Sequence, residues 1–306
     1  MPFQLLPHPE HRPNRRDVLK GMALGGASLA LGCPALAAPV EQDNGPWYAL
    51  VSDIHIAADP SAKARGECMT DNLRAVVADI LASEAPPLGV LIDGDLAFNH
   101  GEMGDYQQVL SLLEPLRKAK LPITLAMGNH DERTHFRAAL NVDPPKDAEV
   151  VDRVVSTVSL PGLRFVVLDS LDKTNKTPGI LGERQLEWLA KELDADAKTP
   201  TLVFLHHNLA KRPGALIDAE ALREVLKPRT QVKALVYGHT HTWDLQEEDG
   251  LHLVNLPAVA YRFAAIQPLG WCKLRLNKND GAELELRCVG GDRSKDGLCV
   301  PLRWRA

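Results

Sequence analysis

Apolar residues along this chain fall into two patterns, short β-like runs and longer amphipathic stretches, and the two alternate. Trp47 to Val51 is β-rich, and Thr70 to Ser83 then places Leu73, Val76, Val77, Ile80 and Leu81 on one helical face. Asp71 or Thr70 can cap the start of that helix. Pro86-Pro87 leads into Gly89-Val-Leu-Ile-Asp-Gly-Asp95, whose apolar run predicts a buried strand, with Gly94 allowing a sharp turn at its end. Strand, helix and strand in that order predict a β-α-β unit with parallel pairing. Further helices are predicted over about 105–118, 182–193 and 218–226, and further strands over 122–127, 164–168, 201–205 and 232–237. Residues 141–152 are polar, contain Pro144-Pro145, and predict a lid-like loop. From Leu251 onward, β runs at 251–256, 271–276 and 282–289 with turn signals at Asp249-Gly250 and Asp280-Gly281 predict antiparallel strands, a second sheet packed on the first.

The polar residues that carry chemistry stand where these apolar runs stop. Residues two apart in an extended segment share a face, so Asp53 and His55, after the first strand, can bind one metal together. Asp95 ends the central strand, at the carboxyl edge where open α/β sheets place their ligands. Gly128-Asn129-His130-Asp131 ends the next strand; the Asn129 amide can offer a metal its oxygen and His130 can transfer a proton. Of the adjacent His206 and His207, only one can point inward from an extended strand. His206 is taken as the ligand, and His207 as a cleft-lining or structural residue. Gly238-His239-Thr240-His241 again sets two imidazoles two residues apart. Asp169 reads either as a partner of a ligand histidine or as an ordinary strand-end carboxylate. Taken singly these motifs recur by chance; five in succession, each after an apolar run, point to one shared site.

Composition narrows the picture without changing it. The chain has 306 residues, enough for a sizeable core without a metal to hold it together. It is 45% hydrophobic and 25% charged, with a formal net charge of -5, so no electrostatic footprint for nucleic acid or an anionic membrane is present.

The first 38 residues read as a leader. Asn14-Arg15-Arg16-Asp17-Val18-Leu19-Lys20, a glycine-rich apolar run from Gly21 to Leu31, and Ala35-Leu36-Ala37 resemble a twin-arginine export signal with its cleavage site. That implies the twin-arginine export machinery as a partner and a periplasmic or otherwise extracytoplasmic location. Cleavage after Ala37 releases a soluble protein; Ala30-Leu-Gly-Cys33, an imperfect lipoprotein box, offers a lipid anchor at Cys33 instead. Residues 39–306 are then expected to form a single domain with a β-rich end from about 251. Cys68, Cys272, Cys288 and Cys299 form no C-x-x-C pair, and an oxidising compartment would permit disulfides among the last three.

The order Asp53-x-His55, Gly94-Asp95, Gly128-Asn129-His130-Asp131, His206, Gly238-His239-x-His241 resembles the calcineurin-like metallophosphoesterase superfamily, over about Trp47 to Leu276. The resemblance implies a four-layer α/β/β/α sandwich. It implies two divalent ions, one held by Asp53, His55, Asp95 and His241, the other by Asp95, Asn129, His206 and His239. Oxygen and imidazole donors without thiolate suit Mn, Fe, Co, Ni or Zn. The implied reaction is hydrolysis of a small phosphomonoester or phosphodiester by a hydroxide held between the ions, with His130 facing the phosphoryl group and Asp131 orienting it. Phe98 stands where the purple acid phosphatases place a metal-binding Tyr, and Asp-x-His with Gly-Asn-His-Asp is similar to the cyclic-nucleotide and glycerophosphodiester phosphodiesterases. Asn208-Leu209 replaces the Pro often found after the histidine pair. The alternative from another class is a non-catalytic, metal-bearing scaffold of the same fold.

Overall fold

The computed structural model describes residues 4–5, 45–144, 150–277 and 281–306. The expected export signal, Cys33 and Ala37 lie outside the described residues. In chain order the elements are β1 (Gln4–Leu5), β2 (Trp47–Ser52), β3 (Lys63–Ala64), β4 (Glu67–Cys68), α1 (Met69–Leu81), β5 (Gly89–Asp93), α2 (Met103–Lys118), β6 (Ile123–Leu125) and α3 (Arg133–Leu140). There follow β7 (Ser156–Leu160), β8 (Leu163–Val167), α4 (Glu183–Ala195), β9 (Thr201–Phe204), α5 (Ala219–Leu226), β10 (Val232–Tyr237), β11 (Asp244–Glu248), β12 (Leu251–Asn255), β13 (Pro268–Asn277), β14 (Gly281–Gly291) and β15 (Cys299–Arg303).

Alternating side chains build the layers. On β2, Ala49 and Val51 face α1 and α2, where they meet Leu73, Val76, Val109 and Leu113. The intervening Tyr48 and Leu50 face the other way, onto Phe165, Phe204 and Val236 of a second sheet. That sheet's outer side, with Val166, Val203 and Leu235, packs on α4 and α5 through Leu189, Leu193 and Leu222. The result is helix, sheet, sheet, helix, as the resemblance implied. One sheet has the order β1-β6-β5-β2-β13-β14-β15 and the other β11-β12-β10-β9-β8-β7. β2, β5 and β6 run parallel in the first, and β8, β9, β10 and β12 in the second. Parallel strands bring their carboxyl ends to one edge, so both sheets deliver their strand-end residues to the same rim of the molecule.

The C-terminal strands correct the sequence reading. They form no sheet of their own: β13 pairs antiparallel with β2 and extends the first sheet, while β12 joins the second, parallel to β10. Hydrophobic pattern identifies a strand but not its neighbour; here β13 and β12 supply the backbone hydrogen-bond partners that β2 and β10 need on the edges away from β5 and β9. Five pieces have little sequence signal. α3 buries only Phe136, so it lacks an apolar stripe, and its start is set by Glu132, whose carboxylate accepts from the His135 amide at 2.7 Å. β11 is a largely exposed edge strand, and β3, β4 and β15 are short or exposed. The four described cysteines are free thiols, so the disulfides that an exported protein could form are not made here. No helix of the described residues is long and apolar enough to cross a membrane.

Asp169, at the end of β8, resolves its two readings: among the described residues it bonds no histidine. Its buried carboxylate takes two hydrogen bonds from Arg133, at 2.7 and 2.9 Å, and others from the Val154 and Leu171 amides. The pair fastens the start of α3, on the first sheet's side, to the second sheet. Truncating Arg133 leaves a carboxylate uncompensated in the interior, a costly event. We predict that Arg133→Ala lowers unfolding stability by about 3 kcal/mol, read from urea denaturation; an unchanged midpoint would show that the backbone amides alone hold Asp169.

Candidate metal centre

Seven candidate donors follow the carboxyl ends of parallel strands. Asp53 and His55 follow β2, Asp95 follows β5, Asn129 follows β6, His206 follows β9, and His239 and His241 follow β10. Main-chain bonds tie these ends together. The His55 amide donates to the Asp95 carbonyl at 2.8 Å, the Gly238 amide to the His206 carbonyl at 3.1 Å, and the Ala260 amide to the Asp53 carbonyl at 3.0 Å.

The backbone at these ends is bent into a region that side chains disfavour. Asp53, His55, Asp95, His239 and His241 all have positive φ, between 42° and 68°. Such conformations cost about 1 kcal/mol or more per residue and persist where the surroundings enforce them, a signature of functional sites. The glycines preceding three ligands are there for a second reason, close approach. A methyl group on Gly94 would overlap the His206 ring, one on Gly128 the Asp95 carboxylate, and one on Gly238 the Ser52 hydroxyl and the Asp53 carboxylate. Each glycine therefore makes room for a ligand delivered by another strand.

Ligand atoms fall into three overlapping groups, each within 4.8 Å: Asp53, His55 and His241; His55, Asp95 and His130; Asp95, His206 and His239. Asp95 accepts the His130 amide on Oδ1 at 2.8 Å and faces His206 Nε2 at 3.1 Å and His55 Nε2 at 3.5 Å with Oδ2. Asp53 Oδ1 lies 3.4 Å from His241 Nε2, and its Oδ2 accepts the Ser52 hydroxyl at 2.6 Å. Carbonyl oxygens orient the imidazoles. His55 Nδ1 bonds the Phe98 carbonyl at 3.3 Å and His241 Nδ1 the Tyr261 carbonyl at 2.5 Å, which assigns the proton to Nδ1 and turns the Nε2 lone pair inward. Those two Nε2 atoms then stand 3.2 Å apart. Two lone pairs at that distance repel unless a proton or a cation mediates between them. Asn129 Oδ1 and both His206 ring nitrogens are buried without a hydrogen-bond partner among the described residues. Buried polar atoms need partners, and this donor set of carboxylate, amide and imidazole fits divalent metal.

Electrostatics agree. Burial pushes Asp95 and Asp53 up, but the adjacent imidazoles His206, His55 and His241 overcome it, and both carboxyls end well below their ordinary range. Burial lowers His55 to about 4, with Asp95 opposing. Burial also lowers His206, but Asp95 and Asp53 outweigh it and raise it to about 10. A centre that keeps two carboxylates ionised inside a protein is a centre that attracts cations.

One residue has different surroundings from those expected. The Asp131 carboxylate does not reach the His130 ring. It accepts the Gly128, Leu96 and Ala97 amides and the Tyr106 hydroxyl, at 2.8 to 3.2 Å, and so clamps the Asp95 loop to the Asn129 loop. The His130 ring is oriented by the Asn99 carbonyl, 3.1 Å from Nδ1. His207 is buried, its Nδ1 2.8 Å from the Ser170 hydroxyl, the structural place left open for it. Sequence reading missed Asp93. It is fully buried, neither carboxylate oxygen is hydrogen-bonded among the described residues, and burial holds it well above the usual carboxylate range. Asp93-Gly94-Asp95 offered two carboxylates two residues apart, and only the second matched the motif.

Comparison with known proteins agrees with this geometry. The calcineurin-like phosphoesterase family profile matches residues 47–243. A probable cyclic nucleotide phosphodiesterase of Synechococcus sp. is 29% identical over 251 residues, covering 80% of this chain and 92% of that one. The 3',5'-cyclic adenosine monophosphate phosphodiesterase CpdA of Haemophilus influenzae is 27% identical over 255 residues, covering 78% and 88%. Among solved structures, a dimetal phosphatase from Danio rerio superposes with a TM-score of 0.66 at 17% identity, covering 85% of this chain and 99% of that one. The chain belongs to the calcineurin-like phosphoesterase family. It is a metal-dependent phosphoester hydrolase.

Because Gly128 has no room for a side chain beside Asp95, we predict that Gly128→Ala keeps the fold but lowers bound metal at least about tenfold, the size seen when a ligand's support is lost. Metal analysis by plasma mass spectrometry together with circular dichroism checks it; full metal content would show that the Asp95 position is not critical.

Proposed function

We propose that the protein is a dinuclear-metal phosphodiesterase acting on small diesters of the cyclic-nucleotide kind. The observation that carries the proposal is the sharing of Asp95 between donor groups on either side of it. In this reading Asp53, His55, Asp95 and His241 hold one ion, and Asp95, Asn129, His206 and His239 hold the other. When bound, two such ions act as a Lewis acid pair and make water acidic enough to supply hydroxide near neutral pH. The names of the relatives from Synechococcus and Haemophilus support the substrate class.

The chain's own residues supply the rest. His130 is partly exposed at the rim, its ring 5.1 Å from that of His55. With Nδ1–H directed to the Asn99 carbonyl, Nε2 is the nitrogen left for substrate. In the imidazolium form it donates a proton or a hydrogen bond to a phosphoryl or leaving oxygen; in the neutral form it cannot. Asp131 is a positioning residue, since the amides it holds belong to the loops carrying Asp95 and Asn129. Ser52 and the His239 amide, on Asp53, keep that carboxylate turned into the site.

The test combines metal analysis with a panel of mono- and diesters. His130→Ala is predicted to lower kcat on diesters by about 10²- to 10⁴-fold, the usual worth of a proton-transfer residue, while metal content stays at the wild-type level. A parallel fall in metal would make His130 a ligand. Metal-loaded wild type inert across the panel would favour the non-catalytic scaffold.

A further inference from the structure

Next to the metal ligands lies a group of side chains that neither the fold nor the proposed chemistry uses. The segment joining β12 to β13 presents Phe263 and Ile266 to solvent, 51% and 80% exposed, although both are large and apolar. This is no loose loop. Buried Gln267 accepts the Phe263 and Ala264 amides on Oε1, at 2.6 and 2.9 Å, and its Nε2 reaches the Thr242 hydroxyl at 2.7 Å. Within the same segment the Tyr261 carbonyl holds His241, and the Tyr261 ring packs on His55 and His241 with centroids 4.9 and 4.7 Å away. The Phe263 ring lies 4.5 Å from the His241 ring, tilted by 34°.

The outer side of this group is cationic. Arg65, at the exposed turn between β3 and β4, sets its guanidinium 4.6 Å from the Phe263 centroid. The hairpin that carries it is tied to the same segment by Glu67 and Arg262, 3.6 Å apart. A rigid backbone thus holds an exposed phenyl ring between a metal ligand and a mobile-length cation, at the mouth of the site. Keeping a phenyl ring in water costs hydrophobic free energy that a partner would recover. Phenyl and guanidinium planes both stack on flat, electron-rich rings.

We propose that Phe263 and Arg65 form a subsite that takes the heteroaromatic ring of a nucleoside phosphodiester: the exposed Arg65 side chain, which lies over the Phe263 ring in this structure, swings aside to admit the base onto that ring and closes over the base's other face. This assignment rests on the phosphodiesterase reading and adds the residues that select the substrate's non-reacting half. Base-on-aromatic stacking is sequence-tolerant, so the subsite distinguishes diesters that carry a base from those that do not, and distinguishes one base from another weakly.

The experiment compares kcat/KM on 3',5'-cyclic adenosine monophosphate with that on glycerophosphoethanolamine, a diester without an aromatic ring, using the metal-loaded protein. Phe263→Ala should lower the ratio of the two about tenfold, through KM for the nucleotide. Phe263→Trp should keep the ratio within about twofold of wild type, and Arg65→Ala should lower it about threefold. A ratio unchanged in Phe263→Ala overturns the subsite while leaving the phosphodiesterase reading intact. So does an equal loss on both substrates accompanied by loss of metal, which would mean that the ring only shields His241. Wild type that cleaves neither diester overturns both readings together.

Discussion

The structure depends on holding one carboxylate, that of Asp95, where two sheets meet. Its main-chain carbonyl receives the His55 amide, one carboxylate oxygen receives the His130 amide, and the other faces His206 and His55. Two loops from the first sheet and one from the second are therefore referred to this one residue. An ionised carboxylate in a fully buried position is costly by itself, and here the compensation comes from amides and imidazoles. The same arrangement leaves little positional freedom: Gly128 abuts the carboxylate so closely that no side chain fits between.

That constraint accounts for the strained backbone around it. A strand that ended in ordinary extended geometry would carry its last side chains past the rim. Positive φ at Asp53, His55, Asp95, His239 and His241 turns them back into the gap between the sheets. The strain is offset by carbonyl acceptors on His55, His241 and His130, none of which depends on side-chain identity in the loops that provide them. Phe98 and Asn99 thus contribute through their main chain, which is why their side chains are poor guides to what the site does.

Much of this was legible in the sequence, for a physical reason. Parallel strands buried on both faces leave long apolar runs, and polar residues just beyond such runs have one place to go. That rule and the motif order pick out seven candidate donors, and six of them stand in clusters whose donor atoms lie within 4.8 Å of one another. What could not be read was pairing and partnership. β13 and β14 are plain as strands, yet nothing in their pattern says that they extend the sheet of β2 and not a separate one. Asp131 and Asp169 look like functional carboxylates, but backbone amides from distant loops and Arg133 claim them, and such partners have no local signature. Asp93 was hidden by its neighbour Asp95. Phe263 was hidden because an exposed aromatic is ordinary until its ring is seen beside His241.

The central claim is that two cations share Asp95, and anomalous diffraction from manganese-loaded crystals tests it most directly. The account predicts two peaks per chain, about 3.5–4 Å apart, with the Asp95 carboxylate between them and Asn129 and His241 on opposite sides. A single peak, or two that do not both touch Asp95, would contradict it.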